Sequence, residues 1–451
     1  MQFKRIHIPA VIITAIIIAM SLSSCSKQDW DFSFSISDQT YRPDIPRTVN
    51  PAERRVFIYM GLGHNNLSSH LQKDIEELAA NGLPEGYWEH DVVLIYSHLV
   101  PKNMNYSTPC SPSLTRLYTN FDGSVKRDTL LIFDPDTKPT TAETINFVLN
   151  FVKDEFPASE YGMLISSHGS GWTPENYCLN PSKYETTSNN DSELDFWGRS
   201  QKRPTPAPLM DDEPLVKSIG VHNYSTSEIS EIEITDLAEA IPLKMNYIIF
   251  DACFMGGVEV AYELKDKCDK IIFSQTEILA DGMEYKTMIS HLFNEEGTDL
   301  KGFCQSYYKH YNAKYGWEKS ATISLVDCTQ LDALAMACKK IFESYRTDLA
   351  NIDRSSVQEY YRSGSNGYNY RWFYDLGSII SNCNTGEEDT EVFDRALQSS
   401  ILYKASTYMF MSDIQIKTHS GLSMYLPYPD RTYLNNFYKT LKWNKATGLV
   451  E

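Results

Sequence analysis

Several residue patterns that carry familiar reaction chemistry are missing from this chain of 451 residues. It has no His-Glu-x-x-His segment, with which a common class of zinc peptidase binds its metal, and no Gly-x-Ser-x-Gly elbow of the α/β-hydrolase type. None of its 9 cysteines has the Cys-x-x-Cys spacing of zinc and redox sites. These absences argue against a zinc peptidase and against a serine esterase.

The chain also has fewer basic than acidic residues. It contains 41 Lys and Arg residues and 59 Asp and Glu residues, which gives a formal net charge of −18. An acidic surface of this kind repels the phosphates of nucleic acid and favours cationic partners. We therefore expect no nucleic acid partner.

Long apolar runs are confined to the N-terminus, where Lys4 and Arg5 precede the apolar stretch 6–22. A short basic region, an apolar run and then small residues are typical of a secretory signal. Residues 22–25 read Leu-Ser-Ser-Cys, which resembles a bacterial lipobox. The resemblance implies that Cys25 becomes the lipidated first residue of the mature chain, anchored by its acyl groups.

This interpretation divides the N-terminus into a signal peptide, residues 1–24, and a lipidated cysteine with a flexible polar tether, residues 25–51. The mature protein is then exported and lipid-anchored to a bacterial membrane. We expect the outer membrane, with the protein facing either the periplasm or the cell surface. A plain signal anchor in which Cys25 is incidental is the alternative.

Two later segments combine a strand pattern with a reactive side chain. Residues 161–167 and 246–252 are apolar runs typical of buried parallel strands. His168 follows the first run and Cys253 follows the second. Because reactive groups gather at the carboxyl ends of parallel strands, we expect these two side chains to lie together.

A thiol beside an imidazole supplies the chemistry of a cysteine peptidase. A thiol with an ordinary pKa of about 8.5 is only slightly ionised at neutral pH, so a Cys253 nucleophile needs a base such as His168. The glycines after the histidine leave the backbone bare, and we predict that the amides of Gly169 and Cys253 bind the oxyanion. Taken alone, each side chain is also compatible with an ordinary place in a buried core.

Strand and helix patterns alternate along most of the chain. Strand patterns occur at 54–61, 91–97, 128–133, 161–167, 246–252, 270–275 and 321–326. Helical patterns occur at 66–80, 141–156, 256–267 and 329–347. This alternation predicts an α/β fold with a parallel sheet and helices on both faces. Residues 351–451 are predicted to form a mainly helical subdomain that returns one strand, at 422–426, to the sheet.

The motifs around the two reactive residues also resemble a known family. His-Gly-x-Gly-Trp at 168–172 and Asp-Ala-Cys-x-Met at 251–255 are similar to paired blocks of the clostripain family of cysteine peptidases. Further similar blocks lie at 55–60, 65–67, 274–282, 321–325 and 420–427. The resemblance covers roughly residues 54–428. It implies a caspase-like α/β/α sandwich with a mostly parallel central sheet and a peptidase core at 52–350.

Two features depart from the family pattern. His64 stands where the family usually has an aspartate, and the stretch between the histidine and cysteine blocks is longer than expected. Residues 173–233 of that stretch are polar and rich in proline, with few apolar runs. We therefore predict an inserted loop within the core, since a loop of this length in a compact domain usually carries a function or is disordered.

The resemblance implies a preference for basic substrates. In this family the aspartate two residues before the nucleophile, here Asp251, helps to bind a basic P1 side chain, and Asp281 resembles a second acidic contributor. A carboxylate forms a charge-assisted pair with a guanidinium. The implied partners are protein or peptide substrates with Arg or Lys at P1. The alternatives are a structural carboxylate at Asp251 and a turn residue at Asp281.

The resemblance also bears on regulation. Members of this family can be cleaved between the two blocks, and the basic residues of 173–233 are Lys183, Arg199, Lys202, Arg203 and Lys217. We hypothesise self-processing around 199–203, and the alternative is a loop that only shapes the substrate crevice. Calcium is a candidate cofactor by resemblance, although the sequence has no loop of EF-hand type.

The sequence thus predicts a lipid-anchored cysteine endopeptidase that acts through a His168–Cys253 dyad and a thioester acyl-enzyme. A non-catalytic surface-binding lipoprotein on a caspase-like scaffold is the alternative, because a fold does not fix a function. The presence of both dyad residues favours the peptidase.

Overall fold

The computed structural model of the protein describes residues 50–62, 67–86, 90–98, 111–135, 137–175, 177–178, 181–185, 232–361, 371–411 and 414–451. The chain divides into two compact units, Met1–Ser33 and Phe34–Glu451, and every described residue belongs to the second. Cys25, the predicted signal peptide and the tether up to residue 49 lie outside the described residues, as does His64. Within the described part, no helix is long and apolar enough to cross a bilayer.

Strands dominate the centre of the second unit. They are β1 (Arg55–Gly61), β2 (Asp91–His98), β3 (Pro112–Thr119), β4 (Val125–Ile132), β5 (Glu160–Ser166), β6 (Met245–Asp251), β7 (Cys268–Phe273), β8 (Thr322–Asp327), β9 (Tyr374–Asp375), β10 (Ile401–Ser406), β11 (Met409–Phe410), β12 (Ile414–Gln415) and β13 (Ser423–Met424). A 9-stranded sheet has the order β10-β8-β7-β6-β5-β1-β2-β3-β4. Two short ladders, β11–β12 and β9–β13, lie outside it.

The sheet is mixed but mostly parallel. The central pairs β2–β1, β1–β5, β5–β6 and β6–β7 are parallel. The outer pairs β2–β3, β3–β4, β7–β8 and β8–β10 are antiparallel, so all nine strands except β3 and β8 point the same way. This arrangement confirms the predicted α/β fold.

Helices flank the sheet. They are α1 (Ser68–Ala79), α2 (Ala142–Glu155), α3 (Pro181–Tyr184), α4 (Ile234–Ala240), α5 (Val258–Leu264), α6 (Met288–Leu292), α7 (Leu300–Asn312), α8 (Leu331–Ser344), α9 (Arg346–Ala350), α10 (Leu376–Ser381), α11 (Glu387–Ser400), α12 (Thr432–Tyr438) and α13 (Lys442–Thr447). Short 3₁₀ turns occupy Pro51–Glu53, Gly316–Glu318, Cys328–Gln330 and Arg354–Ser356. With helices over the sheet, β1, β5 and β6 are buried along almost their whole length, which explains their continuous apolar sequences.

The strand that the C-terminal region returns to the sheet is not the predicted one. We expected residues 422–426, but β13 pairs with β9, whereas β10 joins the sheet beside β8. The edge strand β10 has no fully buried residue, and 41% of Leu402 is exposed, so its sequence lacks the long apolar run of a central strand. Residues 422–426 are apolar because they are buried beside the turn that follows Cys253.

The structure describes the two ends of the predicted inserted loop. Its first residues include the short helix α3 and the buried Tyr177 and Glu185, while residues 186–231 lie outside the described part. The Glu185 carboxylate accepts hydrogen bonds from the Tyr177 hydroxyl at 2.7 Å and from the amides of Tyr433 at 3.0 Å and Leu434 at 3.1 Å. Amides in the first turn of a helix have no partner within that helix. The carboxylate binds these amides and therefore connects the start of the insertion to α12.

Candidate active site

The register of β5 and β6 brings the two reactive blocks together. Ser166 and Asp251, the last residues of these adjacent parallel strands, lie opposite each other. His168 and Cys253 each follow two residues later, and they therefore leave the sheet at the same end and at the same level. This is the edge at which α/β proteins open a crevice between loops.

Gly169 shows how closely the two blocks approach. A Cβ atom added to this glycine would lie 2.4 Å from the Cys253 carbonyl oxygen, 2.9 Å from the Cys253 nitrogen and 3.0 Å from the Ala252 Cβ. No side chain fits in that space, so the backbone beside His168 rests directly on the backbone of Cys253. The glycine that the sequence singled out is a requirement of packing as well as a candidate oxyanion donor.

The Cys253 thiol is fully buried and lies against the loop that follows β7. The Ile278 amide donates a hydrogen bond to its sulfur at 3.2 Å, and the sulfur lies 3.9 Å from the Ile278 carbonyl oxygen. This hydrogen bond fixes the position of the sulfur against that loop. The His168 side chain is half-buried at the neighbouring strand end.

The turn after the nucleophile is strained and firmly held. Phe254 has a φ of 60°, a left-handed conformation that costs a bulky residue about 1–3 kcal/mol. Its amide donates to the Thr276 carbonyl at 3.0 Å, and its ring stacks on Phe373 with centroids 4.8 Å apart. Sequence reasoning missed both aromatic residues, because neither carries a reactive group or a distinctive spacing.

Asp251 is fully buried beneath the nucleophile turn. Its Oδ2 accepts hydrogen bonds from the Ser166 hydroxyl at 2.8 Å and from the Tyr285 hydroxyl at 2.5 Å. Burial and the neighbouring carboxylate raise the pKa of Tyr285 well above its ordinary value, so the phenol keeps the proton that it donates. Asp251 therefore belongs to a buried polar network at the carboxyl ends of β5 and β6.

Asp281 lies in a different environment, with about half of its side chain exposed. Its carboxylate is 2.8 Å from the Nζ atom of Lys73 on α1. Partial burial opposes ionisation, but the hydrogen bond and charge of Lys73 outweigh it and lower the pKa of Asp281. The structure thus pairs this predicted pocket residue with a lysine that sequence reasoning did not identify.

Four of the other described cysteines are also buried. Burial raises the pKa values of Cys304 and Cys338 above the ordinary thiol value, which keeps both as unreactive thiols. Cys268 and Cys328 are also buried, with sulfur atoms 3.7 Å apart. Among the residues that the structure describes, no group of three or more His, Cys, Asp or Glu side chains is arranged to hold a metal ion.

Comparison with known proteins identifies the family of the chain. The model of the clostripain family matches residues 209–448, a span that includes Asp251 and Cys253 and exceeds half of the chain. The chain belongs to the clostripain family. A search of curated proteins finds no match.

Solved structures of C11 proteases, the clostripain family, share the fold of this family member. An inactive zymogen C11 protease from Parabacteroides distasonis is 27% identical, with a TM-score of 0.66 over 88% of this chain and 99% of that one. A secreted C11 cysteine protease from Bacteroides thetaiotaomicron, iotapain, is also 27% identical, with a TM-score of 0.66 over 88% of this chain and 100% of its own. These findings confirm the predicted caspase-like fold and the assignment as a cysteine peptidase.

The contact at Gly169 predicts that even one methyl group there impairs the peptidase. Gly169→Ala would push the two blocks apart, and a shift of about 1 Å between reacting groups costs roughly 10²-fold in rate. Turnover of a peptide substrate by the folded variant measures the effect, with Ser170→Ala as the neighbouring control that we expect to retain activity. Wild-type turnover by Gly169→Ala would contradict the close approach.

Proposed function

We propose that this clostripain-family peptidase is an endopeptidase that uses His168 and Cys253 as its catalytic dyad. The observation that carries the proposal is the contact of the Gly169 backbone with Cys253 at the ends of two adjacent parallel strands. That contact places a candidate base and a candidate nucleophile on neighbouring loops. The Ile278 amide at the sulfur supports the same role for Cys253.

The proposed reaction has two stages. His168 takes the proton of the Cys253 thiol, the sulfur attacks the scissile carbonyl carbon, and the electron pair moves to the oxygen, where the amides of Gly169 and Cys253 stabilise it. His168 then protonates the leaving amine as the C–N bond breaks, which leaves a thioester on Cys253. In the second stage His168 takes a proton from water as the oxygen attacks the thioester carbonyl carbon. The C–S bond then breaks, the carboxylic acid product leaves, and His168 returns the proton to the Cys253 sulfur.

Asp251 and Asp281 are the proposed contributors to recognition of Arg or Lys at P1. The position of Asp251, buried two residues before the nucleophile, supports a contact with a substrate side chain next to the scissile bond. For Asp281, the ion pair with Lys73 supports a carboxylate that is able to bind a cationic side chain. A P1 lysine or arginine would compete with Lys73 for that carboxylate.

The dyad and the pocket predict a defined pattern of peptide turnover. On peptides with Arg, Lys, Leu or Asp at P1, the wild type should prefer Arg and Lys, and Cys253→Ala should lose about 10³-fold or more of that activity. Asp251→Asn should lose roughly 10- to 100-fold on basic substrates alone, equivalent to about 1.5–3 kcal/mol of charged hydrogen bonding. Cys304→Ala, which removes a buried thiol elsewhere, is the matched control.

Other outcomes of the same assay have clear meanings. Equal activity on all four peptides would overturn the basic preference while leaving the dyad in place. No turnover of any of the four peptides, either with calcium or with a chelator, would favour the non-catalytic binding lipoprotein. Activity that requires calcium would support calcium as a cofactor.

We also propose that the enzyme cuts its own chain between the two blocks, around residues 199–203. The basic residues of this stretch match the proposed P1 preference, and the exposed Lys183 precedes it on α3. The wild type should therefore separate into two fragments during purification, whereas Cys253→Ala should stay in one piece. A variant with Gln at Arg199, Lys202 and Arg203 should resist cutting while keeping its dyad. Equal cleavage of wild type and Cys253→Ala would refute self-processing.

The N-terminal sequence supports a lipid anchor on Cys25, a proposal independent of the peptidase site. Expressed with its own signal, the protein should sediment with membranes and carry an acyl-modified Cys25, detected by mass spectrometry of its N-terminal peptide. Cys25→Ser should remain unprocessed or soluble, whereas Cys110→Ser should behave as the wild type. An unmodified Cys25 in membrane-bound protein would instead support the plain signal anchor.

A further inference from the structure

A segment from the C-terminal region lies against the turn that carries the nucleophile. The Ser423 amide donates a hydrogen bond to the Gly256 carbonyl at 2.8 Å, and the Ser423 hydroxyl lies 3.3 Å from the same oxygen. Gly257 forms an isolated parallel bridge with Ser423. The turn between Cys253 and α5 is therefore held by residues more than 160 positions later in the chain.

Glu259 strengthens this contact from the first turn of α5. Its side chain is completely buried, and its Oε1 accepts hydrogen bonds from the Tyr425 amide at 2.7 Å and the Tyr438 hydroxyl at 2.8 Å. A buried carboxyl is costly unless hydrogen bonds satisfy it, and these two donors come from different parts of the C-terminal region. One side chain thus ties α5 both to the segment after β13 and to α12.

The same two tyrosines contact the histidine block. Trp172, four residues after His168, is fully buried, with its ring centroid 4.9 Å from that of Tyr425 and 4.9 Å from that of Tyr438. The Tyr425 and Tyr438 rings are themselves 5.0 Å apart. We call four side chains the clamp: Trp172, Glu259, Tyr425 and Tyr438. The clamp therefore connects the histidine block to the cysteine block.

We propose that Glu259 is a positioning residue of the peptidase, which acts through Tyr425 and Tyr438 to hold the Cys253 turn against the His168 block. The inference rests on the proposed dyad of His168 and Cys253. A displacement of α5 relative to Trp172 would change the separation of sulfur and imidazole without removing either group. Rates depend steeply on such separations.

Glu263 provides a matched comparison on the same helix. It is also buried, and its carboxylate accepts a hydrogen bond from the Lys442 amide at 3.0 Å and lies 3.7 Å from the Lys442 Nζ atom. Both glutamates thus bind backbone amides of the C-terminal region. Glu263 lies one turn further from the nucleophile, and its partner Lys442 belongs to α13 and not to the clamp. Its removal should cost stability with little effect on the dyad.

The experiment compares Glu259→Ala, Glu259→Gln and Glu263→Ala in the mature, full-length protein. Glu259→Ala should lower kcat about tenfold or more, with KM changed less than about threefold, since a misplaced nucleophile affects the chemical step. It should also slow the alkylation of Cys253 by a peptidyl acyloxymethyl ketone.

Glu259→Gln keeps an oxygen acceptor for both donors and should restore kcat to within about threefold of the wild-type value. Glu263→Ala should lower the melting temperature to a similar extent while keeping kcat.

The pH dependence of stability supplies a second readout. Burial raises the pKa of Glu259 to about 7, and the titratable groups around it are Tyr425 and Tyr438, with Cys338 beside Tyr438. Because this pKa is above the ordinary value of 4.5, the carboxyl stabilises the fold most below pH 4.5, and that contribution is lost as the pH rises to about 7. Glu259→Gln should flatten the decline in melting temperature across this window.

Several outcomes would overturn the inference. One is an equal loss of kcat in folded Glu259→Ala and Glu263→Ala. Another is a Glu259→Gln variant as impaired as the alanine variant. If Glu259→Ala does not fold, Tyr438→Phe removes one of the two hydrogen bonds, and unchanged kcat there would equally count against a positioning role. A Cys253→Ala variant with the activity of the wild type would refute the proposed dyad itself. That result is distinct from any result at Glu259.

Discussion

The parallel pairing of β5 with β6 is the constraint on which the rest of the site depends. Two adjacent parallel strands that end in register release their loops side by side, and here Ser166 faces Asp251 at that end. The fit is close enough that only hydrogen is tolerated on the Gly169 α-carbon. The buried network of Asp251 and Tyr285 lies beneath these loops, and the hydrogen-bonded turn at Phe254 continues from them.

The C-terminal region is part of the peptidase core in this structure. Its strand β10 closes one edge of the sheet, its residue Ser423 binds the nucleophile turn, and Tyr425 and Tyr438 pack on Trp172. The insertion also reaches this region, because Glu185 binds the first amides of α12. A single continuous core therefore joins segments that the sequence suggested treating as separate.

The sequence predicts the centre of the fold well, and the reason is physical. Central parallel strands are buried on both faces, so β5 and β6 appear as apolar runs, and the reactive residue after each run marks the strand end. The family motifs add the identity of the peptidase. The edge strand β10 was not predicted because its partly exposed residues give a mixed sequence, and the interior strand β3 was not predicted because its sequence, although mostly buried, contains several polar residues.

The parts of the site that depend on distant contacts are also invisible in the sequence. Nothing in the sequence near Lys73 indicates that it binds Asp281, since the two positions meet only after folding. Glu259 looks like an ordinary residue in the first turn of a helix, and only its partners, Tyr425 and Tyr438, reveal that it is buried. Likewise, the left-handed Phe254 has no signature, because strain there is imposed by the surrounding structure.

The late position of Ser423 and Tyr425 has a consequence for biosynthesis. A ribosome has completed both reactive blocks long before it reaches these residues, so a nascent chain that carries His168 and Cys253 still has an unsupported nucleophile turn. The edge of β8 also stays open until β10 has been made. Contacts between such distant positions form slowly and as a late folding step. Synthesis from the N-terminus therefore delays assembly of the complete site until nearly the whole chain exists.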